Sequence, residues 1–235
     1  MCGRYYRRSD KQRIAEAFHL GKLPDSFVLP PADYNVAPTT FQPVIRADKE
    51  TGERALVTMR WGMVPYFAKS LADFKGFSTI NAKAETLMSK PMWCGPFQRR
   101  RCLVPADGFY EWKTLDAKTK QPYAFAMQSE EPFALGGIWD AWKEPDGGWL
   151  QSFAIITTDP NELTATVHDR MPVIVKPYDY NRWLTRDDPE RPPLDLLRPY
   201  DAGEMRAFQV DPRVGNVRNN ESSLCEAYQG PPRSA

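Results

Sequence analysis

Histidine is nearly missing from this chain: only His19 and His168 occur in 235 residues. Four cysteines are present, Cys2, Cys94, Cys102 and Cys225, and no two share the C-x-x-C spacing of a zinc or redox centre. No metal site and no cofactor are expected. Net charge is missing too. Lys and Arg total 31 against 30 for Asp and Glu, a formal +1, so the field of the whole molecule cannot gather a polyanion. Nucleic-acid binding would need a local patch. Arg4, Arg7 and Arg8, or Arg99 to Arg101, are the clusters on offer. No apolar run approaches the roughly 20 residues of a membrane-spanning helix. The opening MCGRYYRRSD lacks the apolar segment of a signal peptide. A cytoplasmic location with free thiols is therefore expected. Internal repeats and long linkers are absent as well, which leaves a single domain over residues 1–228 and a loose tail at 229–235.

Proline is plentiful, at 22 residues, and it separates short β-type runs. These are Val44–Ala47, Ala55–Trp61, Cys102–Pro105, Gly108–Lys113, Tyr123–Gln128, Phe133–Trp142 and Phe153–Thr158. Ser9–Leu20 reads as a helix, with Ser9 and Gln12 as a capping box and Gly21 as its stop. Ala84–Ser89, Asn161–Ala165 and Tyr178–Leu184 are shorter helical segments. Strands outweigh helices and do not alternate with them. That pattern excludes a doubly wound parallel sheet and predicts an α+β domain on a mostly antiparallel, barrel-like sheet with peripheral helices.

Cys2 stands directly after the initiator Met. Its small side chain permits removal of Met1, which would leave a chain starting with a free α-amine beside a thiol. Both groups are partly nucleophilic near neutrality. A buried cysteine at a strand start is the plainer reading. Two chemistries use such a terminus. In a class II glutamine amidotransferase the thiol attacks an amide and the amine is its base. In an aldehyde trap the amine forms a Schiff base and the thiol closes a thiazolidine. The amidotransferase class carries an Asn-Gly oxyanion segment, and this chain has no Asn-Gly pair.

Glu111 lies in GFYEWK among Phe109, Tyr110 and Trp112. Partial desolvation there would raise its pKa and suit it to proton transfer. Strand alternation permits the opposite reading, with Glu111 facing water. His168, in TVHDRMPVIV, is the side chain best placed to exchange protons near neutrality. Asn81, in STINAKAET, fits either a helix cap or a hydrogen bond to substrate.

Seven ordered segments give these residues a common frame. They are MCGRY, YNVAPT (34–39), MRWGMVP (59–65), INAKAET (80–86), CLVPADGFYEW (102–112), FALGGIWDAW (133–142) and HDRMPVIV (168–175). In this the chain resembles the SOS response-associated peptidase (SRAP) family, which shields abasic sites in single-stranded DNA. The resemblance implies a crosslinking Cys2, with Asn81, Glu111 and His168 completing the active site. It implies phosphate contacts at Arg4 and Arg170. Trp61, Trp112 and Pro38 would line a DNA cleft. It also implies single-stranded abasic DNA as partner, a monomer, and a place at the nucleoid if the source is bacterial. The family name further implies a self-processing peptidase step that removes Met1. One position departs from the family pattern: Lys83 stands where Arg is usual, which keeps the charge and loses the bidentate fork. A non-catalytic reader of modified DNA is the remaining alternative.

Overall fold

A computed structural model describes the chain except residues 1, 22, 24–26, 75–78, 187 and 231–235. The expected tail at 229–235 therefore lies mostly outside the described residues. The strands are β1 (Tyr5–Arg7), β2 (Asp33–Val36), β3 (Phe41–Ala47), β4 (Arg54–Trp61), β5 (Asn81–Lys83), β6 (Arg101–Ala106), β7 (Gly108–Thr114), β8 (Lys120–Met127), β9 (Phe133–Lys143), β10 (Trp149–Thr158), β11 (Met171–Pro172), β12 (Ile174–Val175) and β13 (Met205–Gln209). The helices are α1 (Lys11–Ala17), α2 (Pro91–Arg99), α3 (Glu162–Ala165) and α4 (Tyr180–Leu184).

One sheet runs in the order β10-β4-β3-β6-β9, and β9 pairs again with β10, so these five strands close into a barrel. Closure leaves no free edge among them. Pairing is antiparallel except where β10 meets β4 and β5. Alternation along the strands divides the side chains. Val44, Met59, Trp61, Cys102, Val104, Leu135, Phe153 and Ile155 share one core with Cys2 and Tyr5. Ile45, Leu103, Ile138 and Ile156 face the other way and pack under α1, α2 and α4. A second sheet, β13-β8-β7-β1-β2, lies beside the barrel. The α+β, barrel-like expectation is met.

Several local expectations shift. The first helix is shorter than Ser9–Leu20 and is capped by Asp10, whose side chain accepts from the Arg13 amide. Ser9 is unavailable for capping because its hydroxyl donates to Asp107 Oδ1 at 2.5 Å. The helix ends at Phe18, before Gly21, with His19 left-handed at φ 48°. Ala84–Ser89 holds only one 3-10 turn, Ala84–Thr86. Tyr178–Leu184 is a 3-10 turn running into α4. The Arg99–Arg101 run is not one basic face. Arg101 is 4% exposed and donates to the carbonyls of Phe97, Gln98, Trp183 and Thr185, so it cannot reach a phosphate.

Candidate active site at the N-terminal cysteine

The N-terminal segment is fixed by the loop that turns β6 into β7. Asp107 accepts from the backbone N–H of Arg8 at 2.7 Å and of Ser9 at 2.9 Å, as well as from the Ser9 hydroxyl. Tyr5 pairs with Phe109, Tyr6 with Gly108, and Tyr110 N donates to Arg4 O at 2.9 Å. A Cβ at Gly108 would come within 2.4 Å of the Tyr6 ring, so only glycine permits this approach. The register carries the chain past Glu111 to Cys2. Asp107 and Gly108 are positioning residues that the sequence reading passed over.

Four expected residues converge here. Cys2 is fully buried. Its carbonyl accepts from the Asn81 side-chain amide at 2.9 Å. Asn81 is held on β5 opposite Ile155, and its Oδ1 is buried with no partner among the described residues. An acceptor left like this in a site is a candidate contact for an incoming donor. Burial, and then the charge of Glu111, push the Cys2 thiol well above its ordinary pKa. The thiol is thus held protonated, and attack by sulfur needs a base. Glu111 is 3% exposed, and burial raises its carboxyl to about 7. The inward reading of Glu111 is the correct one, because the strand turns its side chain toward the barrel core.

His168 Nε2 lies 3.7 Å from Glu111 Oε2. That separation falls within ion-pair range, yet burial is the largest cause in both groups and moves each toward its neutral form: Glu111 up, His168 down. Desolvation outweighs attraction and shifts each group toward its neutral form, which leaves Glu111, at about 7, able to give or take a proton near neutrality. His168 Nδ1 sits between a donor, the Arg170 N–H at 3.1 Å, and an acceptor, Asp169 Oδ1 at 2.8 Å. The imidazole can therefore carry its proton on Nδ1 toward Asp169 or on Nε2 toward Glu111. The Asp169 side chain is 88% exposed. Glu111, His168 and Asp169 form a path from a buried carboxyl to solvent. Asp169 carried no signal in sequence beyond its place next to His168.

The expected DNA-binding residues fall into separate groups. Lys83 is exposed and pairs with Thr157, whose carbonyl accepts from Arg170 Nη2 at 2.7 Å, so these two cations flank one residue. Arg170 is also forked onto Glu85, at 2.6 and 3.0 Å, and touches Asp159 at 3.2 Å. Arg4 is not tied to that pair. Its guanidinium donates to Asn35 Oδ1 at 2.6 Å and Val214 O at 3.1 Å, and its Cζ sits 5.9 Å from the centre of the half-buried Trp112 ring. Trp61 is fully buried. It donates to Ile80 O and packs against Tyr5 and Phe153, so it floors the site and offers no open face. Pro38 is half-buried in a turn that Thr40 N closes onto Ala37 O. Thr39 follows it at φ 73°, a costly conformation for a β-branched residue.

Open concavities also lie away from Cys2. One of about 360 Å³ is lined by Met127, Phe133, Tyr200 and Glu204. At the cysteine site Cys2, Trp61, Asn81 and Glu111 are all buried, and its chemistry marks it.

A family model described as SOS response associated peptidase (SRAP) matches residues 1–217. The chain belongs to this family. Abasic site processing protein YoqW of Bacillus subtilis (strain 168) is 40% identical over 97% of this chain and 100% of its own. Abasic site processing protein HMCES of Gallus gallus is 33% identical over 80% of this chain and 63% of its own length. A solved protein from Bacteroides thetaiotaomicron superposes with a TM-score of 0.83 at 24% identity, covering 97% of this chain and 100% of that one, and shares the fold. This SRAP chain has no helix, among the described residues, long and apolar enough to cross a membrane.

Proposed function

We propose that this chain processes abasic sites in DNA, and that it does so by bonding covalently to the ring-opened sugar through Cys2. The relatives' names support the DNA substrate. The observation that carries the chemistry is the convergence of Cys2, Asn81, Glu111 and His168, with a carboxyl whose pKa is about 7.

Removal of Met1, by the chain itself or by an aminopeptidase, frees the Cys2 amine. The amine adds to the aldehyde carbon of the open sugar, giving a carbinolamine. Protonated Glu111 delivers a proton to the departing hydroxyl, water leaves, and an iminium forms. The ionised carboxylate then takes the thiol proton, which burial keeps on sulfur. Sulfur attacks the iminium carbon and closes a thiazolidine. One water is lost overall, and nothing is oxidised or reduced. Closure removes the iminium before it acidifies the neighbouring C2′–H, so the strand stays whole. Asn81 orients the new terminus through the Cys2 carbonyl. His168 returns protons to solvent through Asp169.

Single-stranded DNA is the form that suits a near-neutral molecule with a local cation pair, Lys83 and Arg170, and an accessible aromatic, Trp112. Phosphate engagement at Arg170 exchanges or shares its Glu85 and Asp159 contacts. The protein acts as a monomer in the cytoplasm, at the nucleoid in a bacterial host. Mixing with an abasic and an intact oligonucleotide tests this on a denaturing gel. A shifted band is expected with the abasic strand alone. A Cys2 label by a glutamine-analogue electrophile, with no DNA adduct, would favour amidotransferase chemistry instead.

A further inference from the structure

We propose that the far mouth of the barrel holds a phosphate-binding site built on Arg46, Arg100 and Arg186, remote from Cys2. β3 begins beside Trp61, whose N–H donates to Thr40 O at 2.9 Å, and ends at Ala47 opposite Arg54. Its length, at roughly 3.3 Å per residue, separates the two ends by about 20 Å. At the far end Arg46 Nη1 and Arg186 Nη2 both donate to Ala47 O, at 3.3 and 2.5 Å. Two guanidiniums thus meet on one carbonyl. Arg46 Cζ also lies 5.2 Å from the centre of the Trp139 ring. Arg100 Nε is 3.2 Å from Asp140 Oδ1 and 3.3 Å from Trp139 O. Arg101 bonds the carbonyl of Thr185 and so fastens the segment that carries Arg186.

Among the described residues, Arg100 alone of the three forms an ion pair, with Asp140. Asp140 and Asp48 face the cluster among the described residues, and Glu53 lines a concavity beside it. Asp140 is already held by Arg100, Tyr66 N and Ala141 N. Asp48 Oδ1 accepts from the backbone N–H groups of Glu50 and Thr51. After burial, the charges of Arg46 and Arg100 both disfavour protonated Arg186, with Asp48 opposing them. Acceptors are short as well. Arg46 Nε and Trp139 Nε1 are buried donors with no acceptor among the described residues, and Trp139 is only 8% exposed. Three neighbouring guanidiniums with one ion pair among the described residues, and two unanswered N–H groups, present donors that an oxyanion would accept from. Phosphate suits these donors best, because its several oxygens can meet planar guanidinium forks from more than one side. A concavity of about 530 Å³, lined by Lys49, Arg54 and Arg186 and by the carboxylates of Asp48 and Glu53, opens beside the cluster. The chemistry at Cys2 uses none of these residues.

The test follows the Trp139 Nε1–H resonance of the full chain, assigned by its loss in Trp139→Phe. Inorganic phosphate is titrated at constant ionic strength against chloride. A saturable shift is expected, abolished in the Arg46→Gln, Arg186→Gln double variant and weakened in Arg186→Lys. A second arm titrates an undamaged single-stranded oligonucleotide. If the site serves a nucleic-acid phosphate, the same resonance moves, and the double variant lowers the salt dependence of DNA binding by about one phosphate's share. If it serves free phosphate, only the first arm responds. A wild-type resonance that moves in neither arm overturns the site, as does a shift that persists unchanged in the double variant. Neither arm contains a lesion, so failure to crosslink abasic DNA would bear on Cys2 alone. The double variant is expected to crosslink with wild-type yield.

Discussion

Cys2 and Cys102 are equally buried, and burial raises both thiols well above their ordinary range. Their surroundings differ. Cys102 lies inside the barrel wall, where a Cβ at Gly137 would come within 2.9 Å of its sulfur, and desolvation is the one cause of its shift. Cys2 has a carboxylate as the second cause of its shift and an amide holding its carbonyl. Burial alone makes a cysteine inert. In the proposed mechanism, a buried base and an adjacent amine turn the same side chain into a reagent. The two cysteines therefore form an internal control.

The largest contrast is expected from their removal. Cys2→Ala keeps an N-terminal amine after Met1 is lost, so it can still form a Schiff base that borohydride traps or that cleaves the strand. It gives no stable adduct. Cys102→Ala should keep full adduct yield and lose about 1 kcal/mol of stability through the void it leaves, read as a lower melting temperature. An equal loss of adduct in both variants would erase the contrast.

Glu111→Gln retains both nucleophiles of the Cys2 site and removes the base. Adduct formation should slow by roughly 10²–10⁴-fold while the product stays the same. Stability should move the other way. The folded carboxyl titrates at about 7, above its ordinary 4.5. Between those values the folded state binds more protons than the unfolded one, so stability falls as pH rises through them, by about 3 kcal/mol in all. Glu111→Gln abolishes that decline. Urea titrations at pH 5 and pH 8 check this, and an unchanged pH dependence would place Glu111 outside the low-dielectric site.

Asp169→Asn tests the path to solvent and should have a smaller effect than Glu111→Gln. Asp169 raises the His168 pKa against the dominant effect of burial. Asp169 also raises the Glu111 carboxyl, so its removal should move both limbs of the rate profile to lower pH. A uniform drop at every pH would make Asp169 a structural residue only. The smallest effect is expected outside the covalent site. Arg170→Gln should leave the bond chemistry intact, weaken single-stranded DNA binding about equally across sequences, and reduce its salt dependence by about one phosphate.

Much of the barrel was legible because its strands are long, largely apolar and bounded by Pro, Gly or Asp. Phe133–Lys143 and Trp149–Thr158 are the clearest cases. The two- and three-residue strands were not, since Tyr5–Arg7 and Asn81–Lys83 are too short for a period and exist only through tertiary pairing. α2 was hidden by its own Pro96 and Gly95. Local capping rules placed the first helix one residue early because they cannot see Asp107 claim Ser9. Cys2, Asn81, Glu111 and His168 were named from motifs, and the structure brings them together. The partners of Arg4 and Arg170 were invisible, because Asn35 and Glu85 reach them only in the folded chain. The cleft role of Trp61 came from the family resemblance, and the Phe153 and Tyr5 rings that pack against it are set only by the fold.

The central claim is that a free N-terminal Cys2, and no other thiol, bonds to the lesion. Intact mass after mixing with an abasic single-stranded oligonucleotide tests it most directly, using the mature chain beside one that retains Met1. The mature chain should gain the mass of the oligonucleotide less one water, stable to denaturation, with the link mapped to Cys2. The chain that retains Met1 should gain nothing. Equal adduct from both, or a link mapped to Cys102, would contradict the account.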